Sequence, residues 1–129
     1  SAIAGKAVKE ARYHREHAAD WVVRLGDGTD ESTRRMASAL DRLWPYCAEL
    51  FDADDTDREA AANGLGPAWS TLQEAWRADV SAVLQEAGMT LPADSAFRSD
   101  GKRGRHSEHM GRLLAEMQYL HRAFPGGVW

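Results

Sequence analysis

The chain has 129 residues, 43% of them apolar, which is enough for one domain with a hydrophobic core. Its formal net charge of −4 gives no bulk attraction for nucleic acid. No apolar run approaches the roughly 20 residues that a membrane span requires. The single cysteine, Cys47, has no partner for an internal disulfide, so we expect a reducing, cytoplasmic location.

The first predicted element is a long amphipathic helix followed closely by a second one. Apolar or small residues recur with helical spacing at Ile3, Ala7, Ala11, Ala18, Trp21, Val22 and Leu25. Gly26-Asp27-Gly28 interrupts this helix with residues suited to left-handed or turn geometry. Thr29 is a good N-cap for the next helix, and so short a connection predicts an antiparallel pair.

The second helix continues its apolar stripe through Met36, Leu40, Leu43, Cys47 and Leu50. Pro45 lies inside it and predicts a kink near residues 41–45. The acidic run Asp52–Asp57 resembles a calcium loop only superficially, because Asp57 and Asn63 stand where that loop requires Gly and Glu. We interpret the run as a helix stop and N-cap, with a short helix over 57–63.

Two further helices are predicted in the second half of the chain. One begins at Gly66-Pro67 and ends at Gly88, with an apolar stripe at Trp69, Leu72, Trp76, Val80, Val83 and Leu84. Residues 89–105 are predicted to form an irregular connection, and Ser107 is predicted to cap the last helix. The apolar stripe of this last helix is Met110, Leu113, Leu114, Met117, Leu120 and Phe124, and Pro125-Gly126-Gly127 ends the helix. The chain is therefore predicted to be one all-α domain over residues 1–129.

Helical bundles often hold two metal ions, and the sequence tests this directly. Di-iron carboxylate bundles use Glu-x-x-His, which places both ligands on one inward helix face. The residues three before the five histidines are Ala11, His14, Arg103, His106 and Gln118. None is a carboxylate, so this chain lacks the required half-site.

The nearest approximation to a metal site is Glu10 with His14 one turn later, followed by His17. We weigh it against a buried or half-buried polar network between helices, since pairs four residues apart are common. His106 and His109 also share a helix face, where capping and surface exposure are the simpler roles. We therefore assign no metal and no cofactor to this chain, and keep Glu10, His14 and His17 as the alternative.

No nucleophile is indicated. Cys47 lies on an apolar stripe, where free cysteines act as small hydrophobes, and no serine or glycine-rich loop follows a strand.

Two features remain as candidate contacts. The basic run Arg98, Lys102, Arg103 and Arg105 could meet phosphate or an acidic protein face, against the simpler interpretation of a solvated loop. Trp129 is expected to dock on this chain or on a partner.

Several motifs in order along the whole chain closely resemble one family, the C subunits of the multicomponent 1,2-phenylacetyl-CoA epoxidases. They are KEARYH at Lys9–His14, RLGDGTD at Arg24–Asp30, LWPY at Leu43–Tyr46, ELFD at Glu49–Asp52, RHSEHMG at Arg105–Gly111, LAEMQYL at Leu114–Leu120 and PG at Pro125–Gly126.

The resemblance implies a ferritin-like bundle in a protein about twice this length. It also implies a tight complex with a homologous catalytic subunit, which carries the di-iron centre and binds phenylacetyl-CoA. In such complexes a reductase delivers electrons, and one oxygen atom is inserted into the aromatic ring during phenylacetate degradation. The C subunit supports that assembly without a working metal centre.

This chain would correspond to the C-terminal half of such a protein, so half of the bundle would be missing. Exposed apolar stripes of that size rarely stay open, and we expect the isolated chain to form a two-fold homodimer. Two alternatives remain: an enzyme with a Glu10, His14 and His17 metal site built across a dimer, and a stand-alone helical interaction module.

Overall fold

In the computed structural model, residues 2–128 are described, and α-helices dominate them. Their bounds are α1 Ala2–Gly26, α2 Asp30–Leu43, α3 Asp55–Ala62, α4 Gln73–Glu86, α5 His109–Met117 and α6 Tyr119–Ala123. Within residues 2–128 the only strand-like pairing is an isolated bridge between Asp100 and Arg105, which confirms the all-α class. No helix in that range is both long enough and apolar enough to cross a membrane.

The predicted helix pair is present, and its turn is fixed by close packing. Thr29 caps α2 reciprocally with Ser32: the Ser32 amide donates to Thr29 Oγ1 and the Thr29 amide to Ser32 Oγ. Neither Gly26 nor Gly28 has a positive φ, so the left-handed geometry is not what selects glycine here. A Cβ on Gly26 would lie 2.8 Å from the Ala87 Cβ, and glycine permits that approach between α1 and the end of α4.

Pro45 ends the second α-helix instead of kinking it. Beyond Leu43 the chain continues as a 3₁₀ helix, Trp44–Phe51, with the proline in its first turn. Proline lacks an N–H and clashes with the carbonyl four residues earlier, so the tighter helix replaces the α-helix. The predicted stripe through Leu50 therefore belongs to two kinds of helix.

The acidic run serves as the start of α3, as the capping interpretation predicts. The Asp57 amide donates to Asp54 Oδ1, and the Asp54 amide donates back to Asp57 Oδ2. Gly64, with φ of 70°, ends α3 in left-handed geometry. The predicted helix over 57–63 is thus placed two residues too late at its start.

Helix α4 starts later than predicted. Pro67 precedes a 3₁₀ turn, Trp69–Leu72, and the α-helix begins only at Gln73. Its end is as predicted: Gly88 has φ of 71°, its amide bonds the Gln85 carbonyl, and the Met89 amide bonds the Leu84 carbonyl. These two bonds form a Schellman motif, which satisfies carbonyls that the helix end would leave unpaired.

The chain divides into two compact units, Ser1–Arg98 and Ser99–Trp129, so the single-domain assignment stays a prediction. In the first unit α1 packs on α2 and α4, while α2 packs on the 3₁₀ helix Trp44–Phe51. Its buried apolar residues are few, namely Trp44, Leu84 and Ala87 among the described residues.

The second unit contains α5 and α6, and two predictions about it are wrong. Ser107 does not cap the last helix, because α5 begins at His109 with Glu108 in the cap position and no side-chain cap bond. The predicted single helix is two short ones, interrupted at Gln118. Gly126, with φ of 88°, follows the end of α6.

Candidate functional site

A ladder of three rings runs along an exposed face of α1. Tyr13, His17 and Trp21 are spaced four residues apart, which brings their side chains together on one helix face. The Tyr13 and His17 rings stack with centroids 6.1 Å apart, and the His17 and Trp21 rings meet edge to face at 6.4 Å. Tyr13 is 65% exposed and Trp21 49% exposed. We call these three residues the aromatic ladder.

The opposite side of α1 makes the contacts within the first unit. Ala19, Val22 and Val23 are partly buried there, and Gly26 is fully buried. Arg15 Nη1 also donates to Asp79 Oδ2 on α4 at 3.0 Å. The predicted apolar stripe therefore shares only Val22 with the packed face.

Most members of that stripe remain exposed, and only Val22 is partly buried: Ile3, Ala7, Ala11, Ala18, Trp21 and Leu25 all face solvent. Helices α2 and α4 pack on the other side of α1, so most of this apolar face is left open among the described residues of the first unit.

Glu10, His14 and His17 lie on this open side and do not assemble a ligand set. The Glu10 carboxylate is 3.9 Å from the Lys6 ammonium, and the His14 ring meets the Tyr13 ring edge to face at 5.9 Å. Within residues 2–128 no three side chains of the metal-ligating kinds converge. A site that Glu10, His14 and His17 would build across two copies stays a prediction. The buried polar network that we weighed as the alternative is not formed either, since all three side chains are exposed.

An open groove that the sequence analysis missed lies between the end of α1 and α2. Its lining combines apolar, hydroxyl and arginine side chains: Leu25, Thr29, Glu31, Ser32, Arg34, Arg35, Met36, Ser38, Ala39 and Arg42. Arg34 makes two hydrogen bonds of 2.7 and 2.8 Å from Nη2 to the Glu31 carboxylate. We call this surface the arginine groove. Its signal in the sequence is the spacing of seven between Arg35 and Arg42, which places both on one side of α2.

Another cavity of the first unit, about 110 Å³, adjoins an aromatic cluster. The Trp44 and Trp76 rings stack with centroids 5.7 Å apart, and the Phe51 ring meets Trp76 at 5.3 Å. The Arg77 guanidinium lies 5.7 Å from the Trp44 ring centre and bonds Asp94 at 2.9 Å. We call Trp44, Phe51 and Trp76 the aromatic cluster; Trp44 is buried, and Phe51 and Trp76 are partly buried.

Cys47 lines the same cavity. Burial raises the pKa of its thiol, because the thiolate is disfavoured away from water. A raised pKa reduces the fraction of reactive thiolate at neutral pH, which agrees with the structural role expected for this residue.

The side chains of the basic run are partly engaged by hydrogen bonds and an ion pair within their own units. Arg98, in the first unit, donates from Nη1 to the carbonyls of Ser95 and Phe97 at 2.6 and 2.9 Å. In the second unit Arg103 pairs with Asp100 at 3.2 Å, and Lys102 also has a partner. Arg105 is exposed and its amide bonds the Asp100 carbonyl. Contact of this run with phosphate stays a prediction.

The other candidate residues add little. His106 and His109 are exposed, as the sequence suggested. Trp129 lies outside the described residues, so its predicted docking is untested.

Comparison with known proteins gives two matches that cover this whole chain. The family model described as "Phenylacetic acid catabolic protein" matches residues 1–129. The C subunit of the 1,2-phenylacetyl-CoA epoxidase of Escherichia coli (strain K12) is 47% identical over 129 residues, which is 100% of this chain and 52% of that protein. The chain therefore spans about half the length of this curated relative, in its C-terminal half.

Proposed function

The chain belongs to the phenylacetic acid catabolic protein family, and we propose that it is a non-catalytic, structural subunit of a phenylacetyl-CoA ring epoxidase. In this proposal its partner is a homologous catalytic subunit, which holds the di-iron centre and binds the substrate. The similarity to the C subunit of such an epoxidase in Escherichia coli supports the proposal. The unpaired Cys47 is compatible with the cytoplasm as its compartment.

The observation that carries this proposal is the exposed aromatic and apolar surface of α1. Tyr and Trp are enriched at protein interfaces because they bury large areas with little loss of conformational freedom. Here Tyr13 and Trp21 stay open, while Trp44, Leu84 and Ala87 are the buried apolar residues of the described chain. A surface of this composition is typical of a protein that completes its packing against another chain.

The reactive groups of the chain support an accessory role. Glu10 and His14 are separately engaged by Lys6 and Tyr13 on the surface of α1. Cys47 is half-buried with a raised thiol pKa, which disfavours nucleophilic attack. We accordingly assign no catalytic residue to this chain, and we assign the oxygen chemistry to the partner.

Reconstitution tests the proposal. The di-iron subunit from the same organism would be supplied with its reductase and an electron donor, and assayed for oxygen-dependent epoxidation of phenylacetyl-CoA with and without this chain. We expect activity only when both are present, and iron only in the catalytic subunit by elemental analysis. A stoichiometric transition metal bound by this chain alone, lost in Glu10→Gln or His14→Ala, would overturn the assignment and favour a metal enzyme.

We also propose that the chain by itself forms a two-fold homodimer. The reason is the same open apolar face of α1, which a second copy can cover. Light scattering at several protein concentrations measures this directly. A mass that stays at that of one chain at every concentration would contradict the homodimer, without bearing on the reconstituted complex.

A further inference from the structure

The arginine groove has the chemistry of a docking site for an acidic, partly apolar helix. Leu25, Met36 and Ala39 contribute apolar surface to it, while Arg35 and Arg42 stand exposed along one side of α2. Guanidinium groups bind carboxylates through paired hydrogen bonds. The groove is open and follows the length of a helix, whereas small molecules are held in enclosed clefts. A helix laid into the groove fits this shape.

A segment with the complementary chemistry lies elsewhere in the first unit. Residues 52–65, which we call the acidic arm, contain five acidic residues and one arginine. The arm consists of α3 and its flanking residues. Asp52 and Glu59 are exposed, as is Ala62, and Leu65 is 82% exposed. The arm therefore presents carboxylates and apolar atoms together.

Within one copy the acidic arm is not held by extensive packing. Helix α3 is not among the elements of the described chain that pack broadly on α1, α2 or α4. Its first turn is instead fixed locally, by the Asp54–Asp57 capping box and by the pairing of Arg58 with Asp55. A helix that is ordered by its own caps and leaves acidic residues open is suited to bind a separate surface.

We propose that the acidic arm of one copy docks in the arginine groove of a second copy, and that the contact is reciprocal in a two-fold dimer. Glu59 and Asp52 would pair with Arg35 and Arg42. A two-fold axis makes this contact twice, since each copy carries both the arm and the groove. The proposal rests on the self-association proposed above and adds a charged contact to it, beside the covered apolar face of α1.

A second copy is the occupant that the charges favour. The acidic arm and the arginine groove have opposite charge and belong to the same chain. Every copy therefore brings a groove for the arm of its partner and an arm for the groove of its partner. The groove also has no broad contact with α3 of its own chain. Other acidic helices, such as one from a catalytic subunit, would compete for the same groove.

Charge reversal followed by charge exchange tests this pairing. The dissociation constant of the dimer would be measured by sedimentation equilibrium for the wild type and three variants. These variants are Arg35→Glu with Arg42→Glu, Asp52→Arg with Glu59→Arg, and all four substitutions combined. We expect each double reversal to weaken the dimer by about tenfold or more, and the combined variant to recover to within about threefold of wild type.

Controls separate this contact from general effects of charge. Arg112→Glu with Arg122→Glu, on α5 and α6, changes the net charge as much as the groove reversal and should leave the dissociation constant near that of wild type. Circular dichroism would establish that each variant is folded. Raising the ionic strength to about 1 M, where the Debye length is about 3 Å, should weaken the wild-type dimer.

The outcomes are distinct. A dimer that resists both reversals associates through other surfaces, which overturns the arm–groove contact but keeps the self-association. Weakening by each reversal without recovery in the combined variant also overturns the contact. A chain that is monomeric at every concentration would overturn both the arm–groove contact and the self-association. Epoxidation by the reconstituted complex would still test the proposed function separately.

Discussion

The aromatic cluster and the aromatic ladder contain the same kinds of side chain in opposite environments. Trp44 is 6% exposed and stacks on Trp76, where the 3₁₀ helix Trp44–Phe51 meets α4. Tyr13 and Trp21 both contact the His17 ring at similar ring distances but remain open to solvent. Ring contacts therefore do not distinguish core from surface. The difference lies in whether a second element covers them.

This difference assigns separate roles to the two regions. The aromatic cluster holds the first unit together because it joins residues 44–51 to α4. The aromatic ladder is organised by its own helix and contributes little to the unit's core. A surface that is ordered in advance loses less side-chain entropy when a partner covers it.

The largest predicted effect comes from truncating the aromatic cluster. Trp44→Ala should lower the free energy of unfolding by about 3–5 kcal/mol, since it removes a buried ring from a small core. Trp21→Ala is the matched control and should cost under about 1 kcal/mol, because the ring is half-exposed. Urea denaturation of the isolated chain measures both. Equal losses would mean that the ladder is as much a part of the core as the cluster.

Alanine substitutions at two glycines of α1 compare the packed face of this helix with its open face. Gly26→Ala should destabilise by about 1–3 kcal/mol, because the new Cβ would lie 2.8 Å from the Ala87 Cβ and 2.9 Å from its carbonyl oxygen. Gly5→Ala meets nothing within 4 Å and should stabilise by roughly 0.5–1 kcal/mol through helix propensity. Thermal unfolding of the two variants should shift in opposite directions. A shift in the same direction would contradict the close approach at Gly26.

The turn between α1 and α2 gives a smaller effect. Thr29→Ala removes the side-chain acceptor of the capping box and should cost about 1 kcal/mol. Thr56→Ala, on the exposed side of α3, is the matched control and should change stability by less than about 0.5 kcal/mol. Chemical denaturation resolves this difference, and an unchanged midpoint for Thr29→Ala would mean that the box is not formed.

The smallest predicted effect is a pH dependence from Cys47. Burial raises its thiol pKa in the folded chain above the ordinary value of 9.0. The folded state then holds the proton more tightly, so this stabilisation is present below pH 9 and is lost as pH rises through the folded pKa. Cys47→Ala should show a weaker alkaline loss of stability than wild type in denaturation series above pH 8. Identical slopes would mean that the thiol is not buried.

Local sequence signals predict the elements well where a short-range cause fixes them. Thr29 caps its helix, the acidic run caps α3, and Gly88 ends α4, because each depends on neighbouring backbone groups alone. Pro45 and Pro67 do disturb the helices where the sequence places them, but their predicted consequences are wrong. Conversion to a 3₁₀ helix or a delayed helix start depends on tertiary packing that periodicity does not contain.

The candidate site is predictable only in part. Helical spacing identifies the apolar stripe of α1 but not its exposure, since periodicity shows that a face is apolar and not what covers it. Glu10, His14 and His17 are correctly placed on one helix, yet their separate contacts with Lys6 and Tyr13 require coordinates. The sequence analysis does not predict the arginine groove, because the groove combines the end of α1 with about three turns of α2.

The most direct test of the account is the mass of this chain mixed with the di-iron subunit from the same organism, measured by light scattering. The account predicts a stable complex that contains both chains. Two separate species at the masses of the individual components, with the catalytic subunit fully active alone, would contradict the structural role.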